Sequence, residues 1–331
     1  MKNRNLKILV TGGAGFIGSA FVRLICRDRD YPRLIVIDKL TYAGDLARLE
    51  EVKARYKFYK ADICDGARMR SIFKKERPEC IVHFAAESHV DRSILDSSAF
   101  IRTNLEGTRV LLDIAKDLGL KRFVHISTDE VYGDIEKGEF YEDSQINPSS
   151  PYSASKAAAD LLVKSYVRTF DFPAIIVRPS NNYGPWQYPE KFIPRAILSV
   201  LRNQKIPVYA KGKNVREWLY VDDCAAGILA ILEKGKIGEI YNLGSSQEKR
   251  NKDVAKMILS ALGAKRDMIQ FVKDRPGHDF RYRLNSKKVL CEVKWCPKVK
   301  LEDGLKQTVQ WCLENRAWLL SKYKNIAALY K

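Results

Sequence analysis

Residues 8–18 read ILVTGGAGFIG, an apolar run ending in Gly12, Gly13, Gly15 and Gly18. The run suits a buried strand, and the residues after it have helical apolar spacing. A chain passing from strand to helix through glycines turns tightly, lets a pyrophosphate approach its backbone, and packs the helix closely on the sheet. The helix start then offers unpaired N–H groups and a positive dipole end to phosphates. Asp38 stands 20 residues beyond Gly18, at the end of the next apolar run. That spacing suits a carboxylate accepting ribose hydroxyls and repelling a 2′-phosphate, which favours NAD over NADP. Asp62 and Ile63, after the third run, are placed to read an adenine.

Working outward, short β-rich runs alternate with helical stretches. Lys7–Val10, Leu34–Ile37, Tyr56–Lys60, Cys80–Phe84, Arg122–Ile126 and Ala174–Val177 read as buried parallel strands. Phe16–Cys26 and Gly107–Leu118 read as helices between them. The alternation predicts an α/β fold, a doubly wound parallel Rossmann sheet with a smaller, discontinuous α/β lobe. Residues 1–178 plus about 219–245 form the expected cofactor domain, and about 179–218 plus 246–331 the substrate lobe. A strand at Arg216–Val221, a return to the sheet at Glu239–Leu243 and one amphipathic helix near 302–320 complete the expectation.

Composition narrows the function classes. The 331 residues are 46% hydrophobic and 30% charged, enough for a sizeable core. No run of 18 apolar residues suggests a membrane span, and the basic amino end breaks into glycines too early for a signal peptide. The net charge of +18 is dispersed, although residues 281–300 hold seven Lys or Arg against one acid. It reads as surface charge rather than a nucleic-acid interface. Seven cysteines without a Cys-x-x-Cys read as reduced thiols of a cytoplasmic chain. His83, His89, His125 and His278 lack metal-ligand spacing, so no metal is expected.

Tyr-x-x-x-Lys occurs at Tyr56/Lys60, Tyr152/Lys156 and Tyr209/Lys213. Only Tyr152/Lys156 opens a helix, Pro151–Phe170, where residues four apart share a face. A phenol of ordinary pKa near 10 is a poor base at neutral pH, so Lys156 and an oxidised nicotinamide are expected to lower it. Residues 125–133, HISTDEVYG, follow the fifth strand and emerge at the carboxyl edge of the sheet. Thr128 there can share a substrate hydroxyl with Tyr152. Asp129 and Glu130 beside an oxidation site offer an acid and a base for elimination.

With TGGAGFIGS, IDKLTYAG (37–44), HFAAESHVDRSI (83–94), TNLEGT (103–108), STDEVYG, YSASK, NNYGPWQYPEKFIP (181–194), VREWLYVDD (215–223) and DRPGHDFRY (274–282), the chain resembles the extended short-chain dehydrogenase/reductase family. It is most similar to the dTDP-glucose 4,6-dehydratase branch. The resemblance implies cofactor contacts at Gly12, Gly15, Phe16, Ile17, Gly18, Asp38, Lys39, Leu40, Thr41, Gly44, Asp62, Ile63, Ala85, Ala86, Ser88, Thr103, Asn182, Tyr152 and Lys156. It implies Tyr152 as base, Lys156 as its partner, and Asp129 and Glu130 as elimination acid and base. Ser88, Thr128 and Asn181 then fall on the sugar. Lys191, Arg216, Asn251, Arg275 and His278 lie along the nucleotide-diphosphate path. Glu87 matches the dTDP-sugar form, whereas plant UDP-glucose dehydratases tend to show Gln. Cys224 and Phe280 depart from the His and Arg common in the family. The implied protein is an NAD-dependent lyase acting on a nucleotide sugar, dTDP-glucose foremost, as a homodimer without nucleic-acid or membrane partners. A 4-epimerase or UDP-glucuronate decarboxylase on the same fold is the alternative, and an NAD-sensing regulator binding nucleic acid the alternative of another class.

Overall fold

The computed structural model describes residues 6–323; the first five residues of the basic amino end and residues 324–331 of the expected second lobe lie outside that range. In chain order the strands are β1 (Ile8–Thr11), β2 (Leu34–Asp38), β3 (Tyr56–Lys60), β4 (Cys80–His83), β5 (Arg122–Ile126) and β6 (Ala174–Pro179). They continue with β7 (Asn181–Tyr183), β8 (Ile206–Tyr209), β9 (Val215–Tyr220), β10 (Ile240–Leu243), β11 (Glu248–Arg250) and β12 (Ile269–Val272). Seven of them make one sheet in the order β10-β6-β5-β4-β1-β2-β3, every pairing parallel. The order reverses between β1 and β4. In an open sheet the carboxyl ends at that reversal splay into a crevice, the usual place for a ligand.

Alternation along the strands builds two cores. Ile8, Val10, Val36, Val82, Val124 and Val177 face the helices Phe16–Arg27 and Val221–Lys234. Leu9, Ile35, Ile37, Ile81, Phe123 and Ile176 face the other side, against the helices Gly66–Glu76 and Gly107–Asp117. Strands buried on both faces read as the continuous apolar runs of the sequence. A third core joins β7, β8 and β9 to the helices Phe192–Leu201, Asn251–Ala261 and Leu301–Glu314.

One expected strand gains a sheet, and one expectation changes. The strand expected at Arg216–Val221 is β9, and it belongs to a separate sheet, β11-β9-β7, because the chain after β6 has already turned away from the main sheet. The single amphipathic helix near 302–320 is two helices, Leu301–Glu314 and Arg316–Tyr323, parted at Asn315. The Asn315 amide donates to the Trp311 carbonyl at 2.9 Å, satisfying the end of the first helix. The second helix returns Trp318 against Trp186 and Trp311, with ring centres 5.3 and 5.5 Å apart. Its indole N–H donates to Asp45 at 2.8 Å, which ties the carboxyl end to the loop after β2.

Candidate active site

One cleft of about 450 Å³ opens over the carboxyl ends of β1 and β4 and extends to β9 and the loop around Arg275. The glycine loop forms its floor. Gly12 has φ of +68°, and a Cβ there would fall 2.5 Å from the Ala85 backbone nitrogen. A Cβ on Gly18 would fall 2.2 Å from the Gly12 carbonyl oxygen, so the helix can approach the loop only without a side chain. The helix begins at Phe16 after Gly15, whose side-chain-free backbone leaves the first turn open to a phosphate. Asp38 accepts from Ala14 N at 3.0 Å and Leu40 N at 2.8 Å, which aims the buried carboxyl across the loop. Lys39 is paired with Asp62 at 2.8 Å, so its charge is already answered by a carboxylate. The donor set therefore suits a dinucleotide with a free ribose diol. Gly18→Ala is expected to weaken dinucleotide binding by about tenfold or more, a loss above about 1.4 kcal/mol. Calorimetry on the cofactor-free protein measures it, and an unchanged affinity would mean that the loop yields.

Gly12, Gly15, Phe16, Ile17, Gly18, Asp38, Lys39, Thr41, Gly44, Asp62, Ile63, Ala85, Ala86, Ser88, Thr103 and Asn182 all line this cleft. Leu40 does not. It takes φ of +55° and contributes its backbone N–H to Asp38, while its side chain lies outside the lining.

The Tyr-Lys helix is Pro151–Phe170, started by Pro at its first turn and by a reciprocal Ser150–Ser153 capping box. The Tyr152 amide donates to Ser93 Oγ at 3.1 Å, and its ring meets Phe100 edge-on. Lys156 Nζ donates to the Ile126 carbonyl, the last of β5, at 2.6 Å. Burial, opposed by Asp160, brings the Lys156 ammonium down to about 8. The expected lowering of the phenol draws on the nicotinamide charge as well as on Lys156. In the chain alone its pKa is raised, first by burial and then by Glu130, while a hydrogen bond from Thr128 favours ionisation. Protein groups on their own thus keep Tyr152 a neutral phenol. Of the other Tyr-Lys pairs, Tyr56/Lys60 spans β3 from end to end, and Tyr209/Lys213 straddles a strand end and a turn.

Beyond β5, Thr128 starts a single 3₁₀ turn, Asp129–Tyr132, and accepts from Glu130 N at 3.3 Å. Asp129 is 1% exposed. Its Oδ1 accepts from the Thr128 hydroxyl at 3.2 Å, and its Oδ2 has no hydrogen-bond partner in the chain. Burial, with Glu130 and Glu217 nearby, pushes its pKa well above the carboxylate range. Glu130 is also raised by burial but is held back by Arg275, Lys191 and Arg216. Two adjacent carboxyls thus differ: nearby acids add to burial in disfavouring the charge of Asp129, whereas three cations favour that of Glu130.

Asn181, Lys191, Arg216, Asn251, Arg275 and His278 line the far end of the same cleft. Lys191 Nζ donates to Ser88 O at 2.6 Å, and Arg275 pairs with Asp91 at 2.6 Å. Arg216 donates to the Asp279 carbonyl at 2.9 Å and lies over the Tyr282 ring. His278 bonds Asp274 at 2.6 Å, yet burial and then Arg216 bring it down to about 4, so it is neutral at pH 7. Asn181 Oδ1, Asn182 Oδ1, Asn251 Oδ1 and Arg275 Nε are buried without hydrogen-bond partners. A polar ligand spanning the cleft would satisfy them. The Phe280 side chain is exposed outside it, and only its carbonyl meets Arg216, at 3.2 Å. Among the described residues no group of three His, Cys, Asp or Glu side chains is placed to hold a metal.

The family model described as GDP-mannose 4,6 dehydratase matches residues 9–308. The chain belongs to the extended short-chain dehydrogenase/reductase family. It is 46% identical over 319 residues to a dTDP-glucose 4,6-dehydratase of Streptomyces niveus, covering 95% of this chain and 94% of that protein. A dTDP-glucose 4,6-dehydratase of Neisseria meningitidis is 47% identical, with 94% of each chain covered. Among solved structures, a dTDP-glucose 4,6-dehydratase from Streptomyces venezuelae, crystallised with NAD, matches with a TM-score of 0.93 and 45% identity over 96% of this chain and 100% of that one. A UDP-glucose 4-epimerase of Thermotoga maritima matches at 0.88 and 30% identity, over 94% and 100%.

Several cleft residues carry no signal that sequence reading assigned. Arg48 is fully buried and donates to the carbonyls of Ala14, Ala43 and Trp186, so it braces the cofactor loop from below. Glu190 stands in the quoted NNYGPWQYPEKFIP run and accepts from the Tyr42 hydroxyl at 3.0 Å, with His89 3.8 Å away. Only its place beside Lys191 hinted at a role.

Proposed function

We propose that the chain is an NAD-dependent 4,6-dehydratase converting dTDP-glucose to its 4-keto-6-deoxy derivative with loss of one water. The observation that carries this reading is the buried Asp129, its carboxyl pushed well above the usual range, beside Glu130 in the same cleft as Tyr152 and Lys156. NAD, when bound, would supply the hydride acceptor for carbon 4 and the hydride donor for carbon 6. Gly12, Gly15, Gly18 and Asp38 would hold it, and the ribose diol would face Asp38.

The chain's own residues manage protons. Tyr152 Oη takes the 4-hydroxyl proton once a positive charge lies against the phenol, and Lys156 and Thr128 support the oxygen as it ionises. The resulting ketone acidifies carbon 5. Glu130 takes that proton while Asp129 gives its own to the departing 6-hydroxyl. The Glu130 proton then returns to carbon 5, and the proton collected by Tyr152 replaces the one Asp129 lost. Substrate therefore loses H₂O and nothing else. Lys191, Arg216, Arg275, Asn251 and neutral His278 would bind the nucleotide diphosphate, with Ser88, Thr128 and Asn181 on the sugar.

The same reading assigns residues 1–178 and about 219–245 to the cofactor, and the remainder to the nucleotide sugar. It places the chain, with seven free cysteines, in a reducing cytosol. It also makes the chain a homodimer. Leu95, Ile101 and Leu161 are 77, 53 and 54% exposed on mutually packed helical segments, an apolar surface that a second copy would cover. Leu161→Glu is expected to halve the mass measured by light scattering, and an unchanged mass would move the interface elsewhere.

Incubation with dTDP-glucose and UDP-glucose in parallel, followed by mass spectrometry, tests the activity. Loss of water from the dTDP-sugar supports the proposal. Unchanged mass with altered sugar stereochemistry would make the chain a 4-epimerase.

A further inference from the structure

Behind Lys156 lies a buried charge cluster that the reaction scheme does not use. Asp160 follows Lys156 by one helical turn, a spacing that puts both side chains on one face. It is 0% exposed and pairs with Arg178 Nε on β6 at 2.9 Å, with His125 Nε2 on β5 3.4 Å away. Arg178 lies over the Tyr132 ring, 4.7 Å from its centre. On the next strand His83 lies between the hydroxyls of Thr11 and Thr108 at 2.7 and 3.0 Å.

We propose that Asp160 is a positioning residue for catalysis: besides anchoring Arg178, it is the counter-charge that keeps the buried Lys156 ammonium protonated beside Tyr152. The inference rests on the role assigned to Lys156 above. The titratable groups around Lys156 are Tyr152 and Asp160 on its helix, His125 on β5 and His83 on β4. Arg178 faces Asp160 from β6, and Asp129 and Glu130 stand across the cleft. Burial, with further repulsion from Lys156, lowers both histidines, His125 to about 4, so neither carries charge at pH 7. Burial and neighbouring acids raise Asp129 and disfavour its charge, while Arg275 and Lys191 favour the charge of Glu130. On the sheet side of Lys156, Asp160 is the anion, and it answers two cations at once. Taking it away leaves two buried cations without their shared counter-charge. Of the two only the ammonium readily gives up its proton.

The sign follows. Lys156 loses its proton as pH rises through about 8 in the intact chain. Without Asp160 that loss moves to lower pH, so the alkaline limb of kcat shifts downward by about one unit or more. At pH 7.5 kcat then falls about threefold or more.

Asp160→Asn tests this, but it orphans Arg178 and endangers folding. The decisive variant is Asp160→Leu/Arg178→Met, which removes the whole pair for apolar groups of similar size, a replacement buried pairs often tolerate. Two readouts are followed. One is the pH profile of kcat; the other is the titration, in cofactor-free protein labelled with ¹⁵N-lysine, of the ammonium resonance that Lys156→Met removes. Both midpoints moving down together, with Asp160→Glu restoring them, supports the proposal. A double variant with native midpoints would overturn it and leave Asp160 as Arg178's anchor alone. If Lys156→Met itself keeps full turnover, the role of Lys156 has failed, which is a separate result.

Discussion

Tyr152→Phe is expected to retain NAD and lower kcat by about 10²–10⁴-fold, the range that positioned proton transfer supplies. The hydroxyl alone separates the two side chains. The ring packs edge-on against Phe100 and the amide holds Ser93, and neither contact involves the phenol oxygen. Loss of that oxygen also removes one partner of Thr128, which keeps Asp129 and the Glu130 amide, while leaving the glycine loop untouched. Cofactor affinity in the variant should therefore stay within about twofold of the parent, whereas turnover collapses. Parent-like turnover would remove Tyr152 from the mechanism.

Glu130→Gln should divide the reaction. Oxidation at carbon 4 needs Tyr152 and Lys156, and elimination needs a base at carbon 5. The variant should bind dTDP-glucose and, on rapid mixing, build up reduced-nicotinamide absorbance stoichiometric with enzyme. Release of dehydrated product should fall by about 10²–10⁴-fold. Glutamine keeps the size of Glu130 but withdraws a charge that now raises both Tyr152 and Asp129. The first step should consequently be no slower than in the parent, and the Asp129 pKa should drop. Fast turnover without accumulation would assign the base elsewhere.

How much of this was legible beforehand depended on how local the cause was. The glycine loop could be read because a positive φ at Gly12 and the close approach at Gly18 exclude any other residue type. The helical Tyr152/Lys156 pair could be separated from two decoys because period and capping residues are adjacent in sequence. The ionisation of Tyr152 was legible only in part: Lys156 and an oxidised nicotinamide favour it, whereas burial under segments distant in sequence and the Glu130 charge oppose it. Leu40 acts through its backbone, which no side-chain motif announces. The break at Asn315 and the return of Trp318 to Asp45 join residues 273 apart, beyond any periodicity. Arg48 was invisible for a related reason: its partners are carbonyls, and these have no sequence identity.

The central claim is that one substrate molecule is oxidised, dehydrated and reduced again in a single cleft. Substrate bearing deuterium on carbon 4 tests it most directly. Mixed with unlabelled substrate of distinguishable nucleotide mass, it should yield product carrying that deuterium on carbon 6 of the same molecule, with no exchange between the two populations. Retention of deuterium on carbon 4, or its appearance in molecules that began unlabelled, would contradict the account.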